Sequence, residues 1–308
     1  MVVDLNLSKY KHNRIVKTAV SIIRLLRFPE YLILGSDRKK IKIYAALESI
    51  QKIKTSQQTV VRFGDGEFNL MLGKNGISFQ EYSEELANDL KLAFNAENIL
   101  VGIPYGFFDT KGYKWNIKSF WWSYVCRHKK FLNSISGREF IDSTFSRTVT
   151  EVTDHSKSDQ IINETMDLWN NRNILIIEGS QTRFGVGNNL LSNAKSVQRI
   201  IGPQKNAYSK MENLYNTALK TIATMDNPII LVSMGPTATV LAYKLAGNAQ
   251  AIDIGHFDLQ YEYKRRGKYT SVDVPNKFDN ERVNGDEVSD EIQYSDEYDK
   301  QIIVKFVE

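Results

Sequence analysis

Three near-continuous apolar runs constrain the fold of this chain more than any other feature: NILIIEG at residues 173–179, PIILVSMG at 228–235 and AIDIG at 251–255. Runs without polar alternation are typical of strands that are buried on both faces of a parallel sheet. Helical segments separate the three runs, and this alternation predicts right-handed βαβ connections. We therefore predict an α/β fold with a Rossmann-like, mostly parallel sheet and helices on both of its faces.

The rest of the chain continues the alternation and includes one aromatic-rich segment. Strands are predicted where short apolar or β-branched runs occur, and helices where apolar residues recur at helical spacing. The further predicted elements are a helix over 38–53, a strand over 59–63, a helix over 83–94, a strand over 99–104, an aromatic-rich helix from Tyr113, and helices over 210–224 and 238–246.

The first part of the chain is basic and amphipathic. Residues 10–27 place isoleucines close to one face of a predicted helix, and residues 9–27 carry six lysines and arginines and no acid. We predict a helical extension over residues 1–37, followed by one domain over 38–308 with an acidic C-terminal tail. Two interpretations of the extension are open: it packs on its own domain or on a second subunit, or it lies on an anionic membrane surface.

Composition excludes several other classes of protein. Cys126 is the single cysteine, so an intrachain disulfide and a cysteine-based zinc site are both excluded. No apolar run approaches the roughly 18 residues that span a bilayer, and the N-terminus lacks the apolar core of a secretory signal. We expect a cytoplasmic protein, placed peripherally on the inner face of the cell membrane if the extension binds lipid. We expect no nucleic acid partner, and a homo-oligomer is an open alternative.

The stretch VVRFGDGEF, residues 60–68, ends a predicted strand with two carboxylates, Asp65 and Glu67. On extended backbone, side chains two residues apart point the same way. Gly64 and Gly66 leave room for a ligand to approach the backbone. Two carboxylates together with phosphate oxygens suit Mg²⁺ or Mn²⁺, which prefer oxygen ligands. The alternative is a solvated turn without a metal.

The segment GPTATV follows the apolar run 228–234 and opens a predicted helix. Pro236 suits the first turn of a helix, whose free N–H groups bind anions such as phosphates. Gly235 precedes it, and Thr237 or Thr239 can cap the helix or donate a hydroxyl to a ligand oxygen. The alternative is an ordinary helix start with no ligand.

The segment GVGNN follows the apolar run 173–179 and resembles half of a dinucleotide fingerprint. It supplies Gly185, Gly187 and Asn188, but a leucine stands where the third glycine is expected, and no ribose-binding acid follows at the usual distance. A dinucleotide-dependent Rossmann oxidoreductase is therefore the second interpretation of the chain, and a non-enzymatic nucleotide-binding protein is the third.

Several motifs occur together in the order and spacing of one family. They are RFGDGEF, FQEYSEELANDL, IEGSQTRFGVGNN, RIIGPQKNAY, GPTATVLAYKLA and AIDIGHFDLQYEY. Over residues 38–264 the chain resembles the GT-D type glycosyltransferases. The resemblance implies a Rossmann-like fold, a nucleotide-sugar donor with UDP as the expected nucleotide, and a saccharide or lipid-linked glycan acceptor. It also implies that an Asp-x-Glu motif, here Asp65 and Glu67, binds Mn²⁺ or Mg²⁺. One departure is Asn189, because the family is expected to have an acid after GVGN.

Further residues of these motifs are assigned to the donor. Arg62, Arg147 and Arg183 can pair with the diphosphate, because guanidinium matches phosphate geometry. A surface ion pair is the alternative for each. Glu178 ends an apolar strand, where an unpaired carboxylate is costly, so its expected partner is a ribose, a sugar hydroxyl or a buried arginine.

The segment GHFDLQYEY carries the candidate catalytic residues. His256 and Asp258 are predicted as the base that takes the proton of the acceptor hydroxyl, with Glu262 beside them. A structural histidine is the alternative for His256. Tyr261 and Tyr263 can stack on a sugar or a base, and the alternative for both is core packing.

Overall fold

The structure of the protein, a computed structural model, describes residues 20, 22–73, 75–282, 285, 288 and 295–306. Most of the predicted basic helix over residues 10–27 lies outside the described residues, and within it residues 22–25 are helical. No helix in the described part of the chain is long and apolar enough to cross a bilayer.

The chain divides into two units. The first unit comprises Met1–Ile43, Tyr105–Glu139 and Glu151–Asp154, and the second comprises Tyr44–Pro104, Phe140–Thr150 and His155–Glu308. The predicted domain boundary between residues 37 and 38 stays a prediction. The first unit includes two segments that the sequence analysis did not group with the extension.

The architecture is a nine-stranded sheet with helices between the strands. The strands are β1 (Lys42–Tyr44), β2 (Val60–Arg62), β3 (Leu100–Ile103), β4 (Glu139–Asp142), β5 (Asn173–Gly179), β6 (Ser196–Gly202), β7 (Pro228–Ser233), β8 (Gln250–Asp253) and β9 (Ile302–Lys305). Their order is β1-β4-β3-β2-β8-β7-β5-β6-β9. All seven strand pairs from β4 to β9 are parallel. The predicted α/β fold with a parallel sheet is confirmed.

The helices follow the strands in chain order. They are α1 (Phe28–Ile33), α2 (Gly35–Arg38), α3 (Ala46–Ser56), α4 (Asp65–Gly73), α5 (Glu84–Asn95), α6 (Trp115–Arg127), α7 (Lys129–Ser134), α8 (Ser158–Met166), α9 (Met211–Ile222), α10 (Pro236–Leu245), α11 (Phe257–Arg265) and α12 (Ser295–Gln301). α5 shows how the sequence sets a boundary, because Ser83 Oγ accepts a hydrogen bond from Leu86 N at 3.1 Å and caps the helix.

The apolar runs form the centre of the sheet, as predicted. Ile174 and Ile176 of β5 are fully buried in a core cluster that includes Ile50 of α3 and Ile161 of α8. Leu175 and Ile177 are equally buried on the opposite face, because successive strand side chains alternate. The two-sided burial explains why these strands contain no polar alternation.

Other strands were not predicted. The predicted helix over 38–53 is wrong at its start, because β1 lies within it and α3 begins only at Ala46. Ile41 and Ile43 are buried while Lys42 between them is exposed, which is the two-residue period of a strand. The sequence pattern also did not predict the strands β4, β6 and β9.

The order of the strands places a crevice between β2 and β8. The chain leaves β2 toward β3 on one side, whereas it leaves β8 toward β9 at the opposite edge of the sheet. Such a switch point opens a crevice at the carboxyl ends of parallel strands, where ligands bind in open α/β sheets. The segments 63–67 and 254–258 follow these two strands and border the crevice.

The first unit is organised around aromatic side chains. The ring of Trp122 on α6 lies 4.5 Å from that of Phe28 and 6.2 Å from that of Tyr31, measured between centroids. Its indole N–H donates to Thr110 Oγ1 at 2.9 Å. These contacts fix α1 against the predicted aromatic-rich helix.

Candidate active site

Asp65 and Glu67 lie in the first turn of a helix, α4, and not on extended backbone. The prediction that their side chains point the same way is therefore wrong, because residues two apart on a helix are separated by roughly 200°. Asp65 is exposed. Glu67 turns back and its Oε2 accepts a hydrogen bond from Gly64 N at 2.7 Å.

The electrostatic surroundings of Glu67 are unusual for a carboxylate. Burial, followed by the negative charge of Asp253, raises the pKa of Glu67 to about 7, and the hydrogen bond from Gly64 only partly opposes this. Near neutral pH the side chain is therefore divided between its protonated and charged forms. A bound cation would favour the charged form.

The residues of this turn fit a divalent cation that takes few ligands from the protein. Mg²⁺ is usually held by one or two carboxylates together with phosphate oxygens and water. The exposed Asp65 can supply one such carboxylate, whereas Glu67 would have to release Gly64 N and turn toward Asp65 to supply the second. In the described ranges no group of three His, Cys, Asp or Glu side chains could hold a metal alone, so the cation would bind together with a phosphate ligand.

Arg62 lies beside the crevice but is engaged by protein groups. Its Nη2 lies 2.9 Å from Asp253 Oδ1, its Nε donates to the Asp253 carbonyl at 2.8 Å, and its Nη1 donates to Ser146 Oγ at 2.8 Å. Thr239 Oγ1 donates to the second oxygen of Asp253 at 3.1 Å. Arg62 thus joins β2, β8 and the turn after β4. Pairing with a diphosphate would require it to exchange partners.

Gly255 is required by this arrangement. It adopts φ +52°, and a Cβ at this position would lie 1.8 Å from Arg62 Nη2. Neither Asp253 nor the role of Gly255 was predicted from the sequence. The available signal was a lone carboxylate within the apolar run 251–255, where burial demands a cationic partner.

His256 and Arg147 form a hydrogen-bonded pair at the same edge. Arg147 Nη2 lies 2.9 Å from His256 Nδ1, and His256 Nε2 lies 2.9 Å from Asn280 Oδ1. Because guanidinium can only donate, Nδ1 is the acceptor and Nε2 carries the proton. Burial and the charge of Arg147 lower the pKa of His256. The ring is thus held neutral, as a base requires, but both nitrogens have partners.

Asp258 and Glu262, the other predicted catalytic residues, support the GVGN loop. Asp258 forms a buried ion pair with Lys277 and accepts hydrogen bonds from Gly185 N at 3.0 Å and Asn188 Nδ2 at 2.9 Å. Asn188 Nδ2 also donates to Glu262 Oε1 at 2.7 Å. Neither carboxylate faces an open crevice in this arrangement, so each can act only through the loop.

Glu262 is charged in the folded protein. Burial alone raises its pKa, but the hydrogen bond from Asn188 and the charges of Lys277 and Arg265 lower it overall. The nearby Tyr261 donates its hydroxyl to Asn189 Oδ1. A carboxylate at position 189 would accept the same hydrogen bond, so the departure from the expected family pattern preserves this contact.

Glu178 has one of the three partners that the sequence left open, a buried arginine. Arg199 Nη1 donates to Glu178 Oε1 at 2.6 Å, and Phe184 N donates to Oε2 at 2.6 Å. Arg199 Nε in turn donates to Gln301 Oε1 of α12 at 2.7 Å. Glu178 therefore holds the start of the loop that carries Gly185 and the exposed Gly187.

The side chains of Arg183 and Tyr263 also form hydrogen bonds with other groups of the protein. Arg183 is buried, and its Nη1 donates to the Asn276 carbonyl at 3.0 Å. Tyr263 is buried and donates to Asp279 Oδ2 at 2.6 Å, which agrees with the core-packing alternative. The segment containing Asn276 and Asp279 thus contacts the loop after β5 and the helix α11.

The predicted phosphate cradle at α10 is covered by the chain. A Cβ at Gly235 would lie 2.4 Å from Phe79 Cε2, and Pro236 and Thr237 are buried. Thr237 Oγ1 lies 3.4 Å from Gln80 Oε1. Phe79 and Gln80 therefore occupy the space where a phosphate was expected. Asp65, by contrast, is exposed at the start of α4.

A parallel α/β sheet with polar residues beyond the carboxyl ends of its strands is the arrangement in which open α/β proteins bind ligands. Residues 60–282 match the family model described as the glycosyltransferase GT-D fold. The chain belongs to this family. The predicted resemblance and the predicted enzyme class, a glycosyltransferase, are confirmed at the level of the family.

Two curated relatives are similar over most of this chain. The probable glycosyl transferase Gly of Streptococcus gordonii is 33% identical over 279 residues, which cover 88% of this chain and 40% of that protein. Glycosyltransferase GlyD of Streptococcus pneumoniae serotype 4 is 31% identical over 275 residues, which cover 87% of this chain and 33% of that protein. The chain thus spans less than half the length of these relatives.

Solved structures are similar over nearly their full length. One, described as the highly conserved domain of unknown function 1792 with a distinct glycosyltransferase fold, has a TM-score of 0.83 and 32% identity, and the match covers 90% of this chain and all of that one. Another, described as a new glycosyltransferase from Streptococcus sanguinis, has a TM-score of 0.79 and 30% identity, and the match covers 86% of this chain and 99% of that one.

Proposed function

We propose that this protein transfers a sugar from a nucleotide diphosphate sugar, with UDP as the nucleotide, to a saccharide or lipid-linked glycan acceptor, and that the reaction requires Mn²⁺ or Mg²⁺. The observation that carries the proposal is the exposed carboxylate of Asp65 at the switch-point crevice between β2 and β8. The match of residues 60–282 to the GT-D fold supports it.

The donor phosphates would bind at the start of α4. Asp65 would hold the cation together with Glu67, once Glu67 has turned away from Gly64 N. The cation would neutralise the charge that develops on the diphosphate leaving group. Arg147 borders the same crevice, and its ion pair with the exposed Glu281 is one that a diphosphate can replace. Arg62 and Asp253 would keep β2 and β8 in register around the donor.

The acceptor hydroxyl would lose its proton to His256. The lowered pKa of His256 keeps the ring neutral at physiological pH. Because Nδ1 accepts from Arg147 in the present arrangement, a shift of Arg147 toward the diphosphate would free this nitrogen. Donor binding and activation of the base would therefore be linked through one arginine.

The dinucleotide-dependent oxidoreductase is the weaker alternative. Asn188 of the half-fingerprint is bonded to Asp258 and Glu262, and Leu190 stands fully buried at the place of the third glycine. Asn188 and Leu190 are therefore not available to bind a pyrophosphate. Family membership favours the transferase.

Peripheral attachment to a membrane belongs to the same proposal. Leu26 and Ile33 of the first unit are 76% and 78% exposed, and Ile22, Ile23 and Leu32 are also exposed. Arg24 and Arg27 lie among them. Apolar side chains beside cationic ones suit an anionic lipid surface. A second copy of the chain is the alternative partner for this surface.

A donor screen tests the function. Purified protein is incubated with Mn²⁺ and a set of nucleotide sugars, and release of nucleoside diphosphate is measured. We expect slow hydrolysis of one UDP-sugar without acceptor, abolished by chelation and restored by Mn²⁺. Turnover that is unchanged in the presence of chelator would refute the metal-dependent reaction.

A further inference from the structure

A groove of about 1180 Å³ lies on one face of the second unit, away from the apolar core. Its walls are formed by residues of the helices α5 and α9, and from α10 between them only Tyr243 and Lys244, near the end of the helix, line it. The volume exceeds the roughly 300–1,000 Å³ that is usual for small-ligand pockets, which suits an oligosaccharide better than a single sugar.

Four tyrosines line the groove, and they come from four different segments. Tyr82 precedes α5, Tyr208 precedes α9, Tyr215 lies on α9 and Tyr243 lies on α10. Tyrosine combines a flat apolar ring with a polar hydroxyl. A pyranose presents the complementary surfaces, since its ring faces carry C–H groups and its edge carries hydroxyls.

The charge of the groove argues against an anionic ligand. Its lining includes Glu81, Glu85 and Glu212 together with the pair of Asp89 and Lys244. Lys244 Nζ lies 2.9 Å from Asp89 Oδ2, so this pair is neutral and the remaining three carboxylates dominate. A nucleotide diphosphate would be repelled. Side-chain amides of four asparagines in the lining supply donors and acceptors for neutral hydroxyls.

The segment 77–82 separates the groove from the candidate active site. At one end of this segment, Ile77 Cδ1 lies 3.5 Å from where a Cβ of Gly66 would be, directly between Asp65 and Glu67. At its other end, Gln80, Glu81 and Tyr82 line the groove. The groove therefore lies next to the turn that carries Asp65, on the other side of this segment.

We propose that this groove is a binding site for the neutral oligosaccharide acceptor. That the bound oligosaccharide is the acceptor rests on the proposed sugar transfer, whereas the binding itself does not depend on it. Tyr82, Tyr215 and Tyr243 would stack on the sugar rings, whereas Tyr208 is buried and donates its hydroxyl to Asp89. The acidic rim would exclude sialylated or phosphorylated glycans.

Substitution of two tyrosines tests the groove. Wild-type protein and the variant Tyr82→Ala/Tyr215→Ala are screened on an array of neutral and sialylated oligosaccharides, and the best neutral probe is titrated by calorimetry. We expect neutral oligosaccharides to bind wild-type protein, and the double variant to lose affinity by at least about tenfold, equivalent to about 1.4 kcal/mol. Tyr269→Ala, at a tyrosine that is 44% exposed and outside the groove, serves as the matched control and should bind as wild type.

Donor hydrolysis without acceptor separates this inference from the proposed function. The double variant should hydrolyse the UDP-sugar at the wild-type rate, because no substituted residue lies at the crevice. Unchanged oligosaccharide binding by the double variant would overturn the inference, as would absence of binding by wild-type protein to every neutral probe. A wild-type dimer that the substitutions convert to a monomer in sedimentation experiments would assign the groove to a protein interface. Failure of all donors with intact oligosaccharide binding would reject the proposed function alone.

Discussion

Arg62 and Asp253, which are 191 positions apart in the chain, form an ion pair at the junction of β2 and β8, with Nη2 2.9 Å from Oδ1. The side chain of Arg62 is 14% exposed and that of Asp253 only 3%. Both strands must be in register for the ion pair to form, so the candidate site and the centre of the sheet depend on one contact.

Removal of Asp253's charge should destabilise the fold. Asp253→Asn leaves the Arg62 guanidinium enclosed without its counter-charge, and we expect a loss of about 3 kcal/mol in the free energy of unfolding. Urea denaturation followed by circular dichroism measures it. Asp226→Asn, at the exposed pair with Lys195, is the matched control and should cost below about 1 kcal/mol. Equal losses of stability in the two variants would show that the ion pair of Arg62 and Asp253 does not stabilise the fold.

Gly255 allows a test of the space around Arg62. Gly255→Ala combines a positive φ with a Cβ 1.8 Å from Arg62 Nη2, so the guanidinium must move. Gly267 has φ +65° but nothing within 4 Å of its Cβ position. Gly267→Ala should therefore show only the backbone penalty of about 1 kcal/mol, and Gly255→Ala should cost clearly more in urea denaturation. The expectation fails if both variants lose the same stability.

Asp65 should be essential for turnover but not for folding. Asp65→Asn removes one anionic ligand of the proposed cation, and we expect transfer to fall by about 100-fold or more, roughly 3 kcal/mol in the barrier. The thermal midpoint should stay unchanged because Asp65 is exposed. Asp296→Asn, an exposed acid on α12, is the matched control with full activity. If Asp65→Asn transferred sugar at the wild-type rate, Asp65 would not be a ligand of the proposed cation.

Binding of Mn²⁺ should depend on pH through Glu67. Because the pKa of Glu67 is about 7 in the folded protein, a cation must displace its proton at lower pH. We expect the Mn²⁺ affinity, measured by calorimetry in the presence of UDP, to rise as pH increases from 6 to 8. In Glu67→Gln the affinity should be lower and its pH dependence weaker.

The same pKa has a consequence for stability without metal. A carboxyl whose folded-state pKa is raised contributes stability in its protonated form, and this contribution is lost as pH rises through about 7. Metal-free wild-type protein should therefore lose more stability between pH 5 and pH 8 than Glu67→Gln does. If the free energies of unfolding of the two proteins changed by the same amount between pH 5 and pH 8, the raised pKa of Glu67 would be contradicted.

Membrane attachment should depend on the exposed apolar residues of the first unit. We expect wild-type protein to sediment with anionic liposomes, less so in high salt because the electrostatic part is screened. The variant Ile22→Ser/Ile23→Ser/Leu26→Ser should remain in the supernatant. Leu92→Ser, at a leucine of α5 that is also exposed, should sediment as wild type does. If wild-type protein did not sediment with anionic liposomes, the exposed apolar residues would instead be assigned to a contact with another protein.

The sequence predicted those parts of the fold that depend on local pattern. The runs that form β5, β7 and β8 are apolar throughout because both faces are buried, and their strand ends marked the edge where the site forms. β6 was missed because Gln198 and Arg199 interrupt its pattern. Arg199 is tolerated there through its ion pair with Glu178 on the neighbouring strand, and no local rule reveals that partner.

The structure brings several of the predicted site residues together but gives them partners that the sequence did not reveal. Whether Asp258 is a base or an anchor depends on Lys277, and whether Arg62 binds phosphate or protein depends on Asp253. Each role depends on a contact between segments that are far apart in the chain. The motif at 235–237 looked like a phosphate cradle because only its local geometry was visible, whereas Phe79 fills the space from another loop.

Three hydrogen bonds in series connect Gln301 on α12 to Arg199, Arg199 to Glu178, and Glu178 to Phe184. Loss of α12 would leave a buried arginine with one partner fewer and loosen the residue that begins the GVGN loop. Order in this short helix is thus coupled energetically to order in the loop. We expect residues 295–306 to vary among related proteins in step with residues 178–189, so that the acidic end of the chain and the glycine-rich loop evolve as one structural unit.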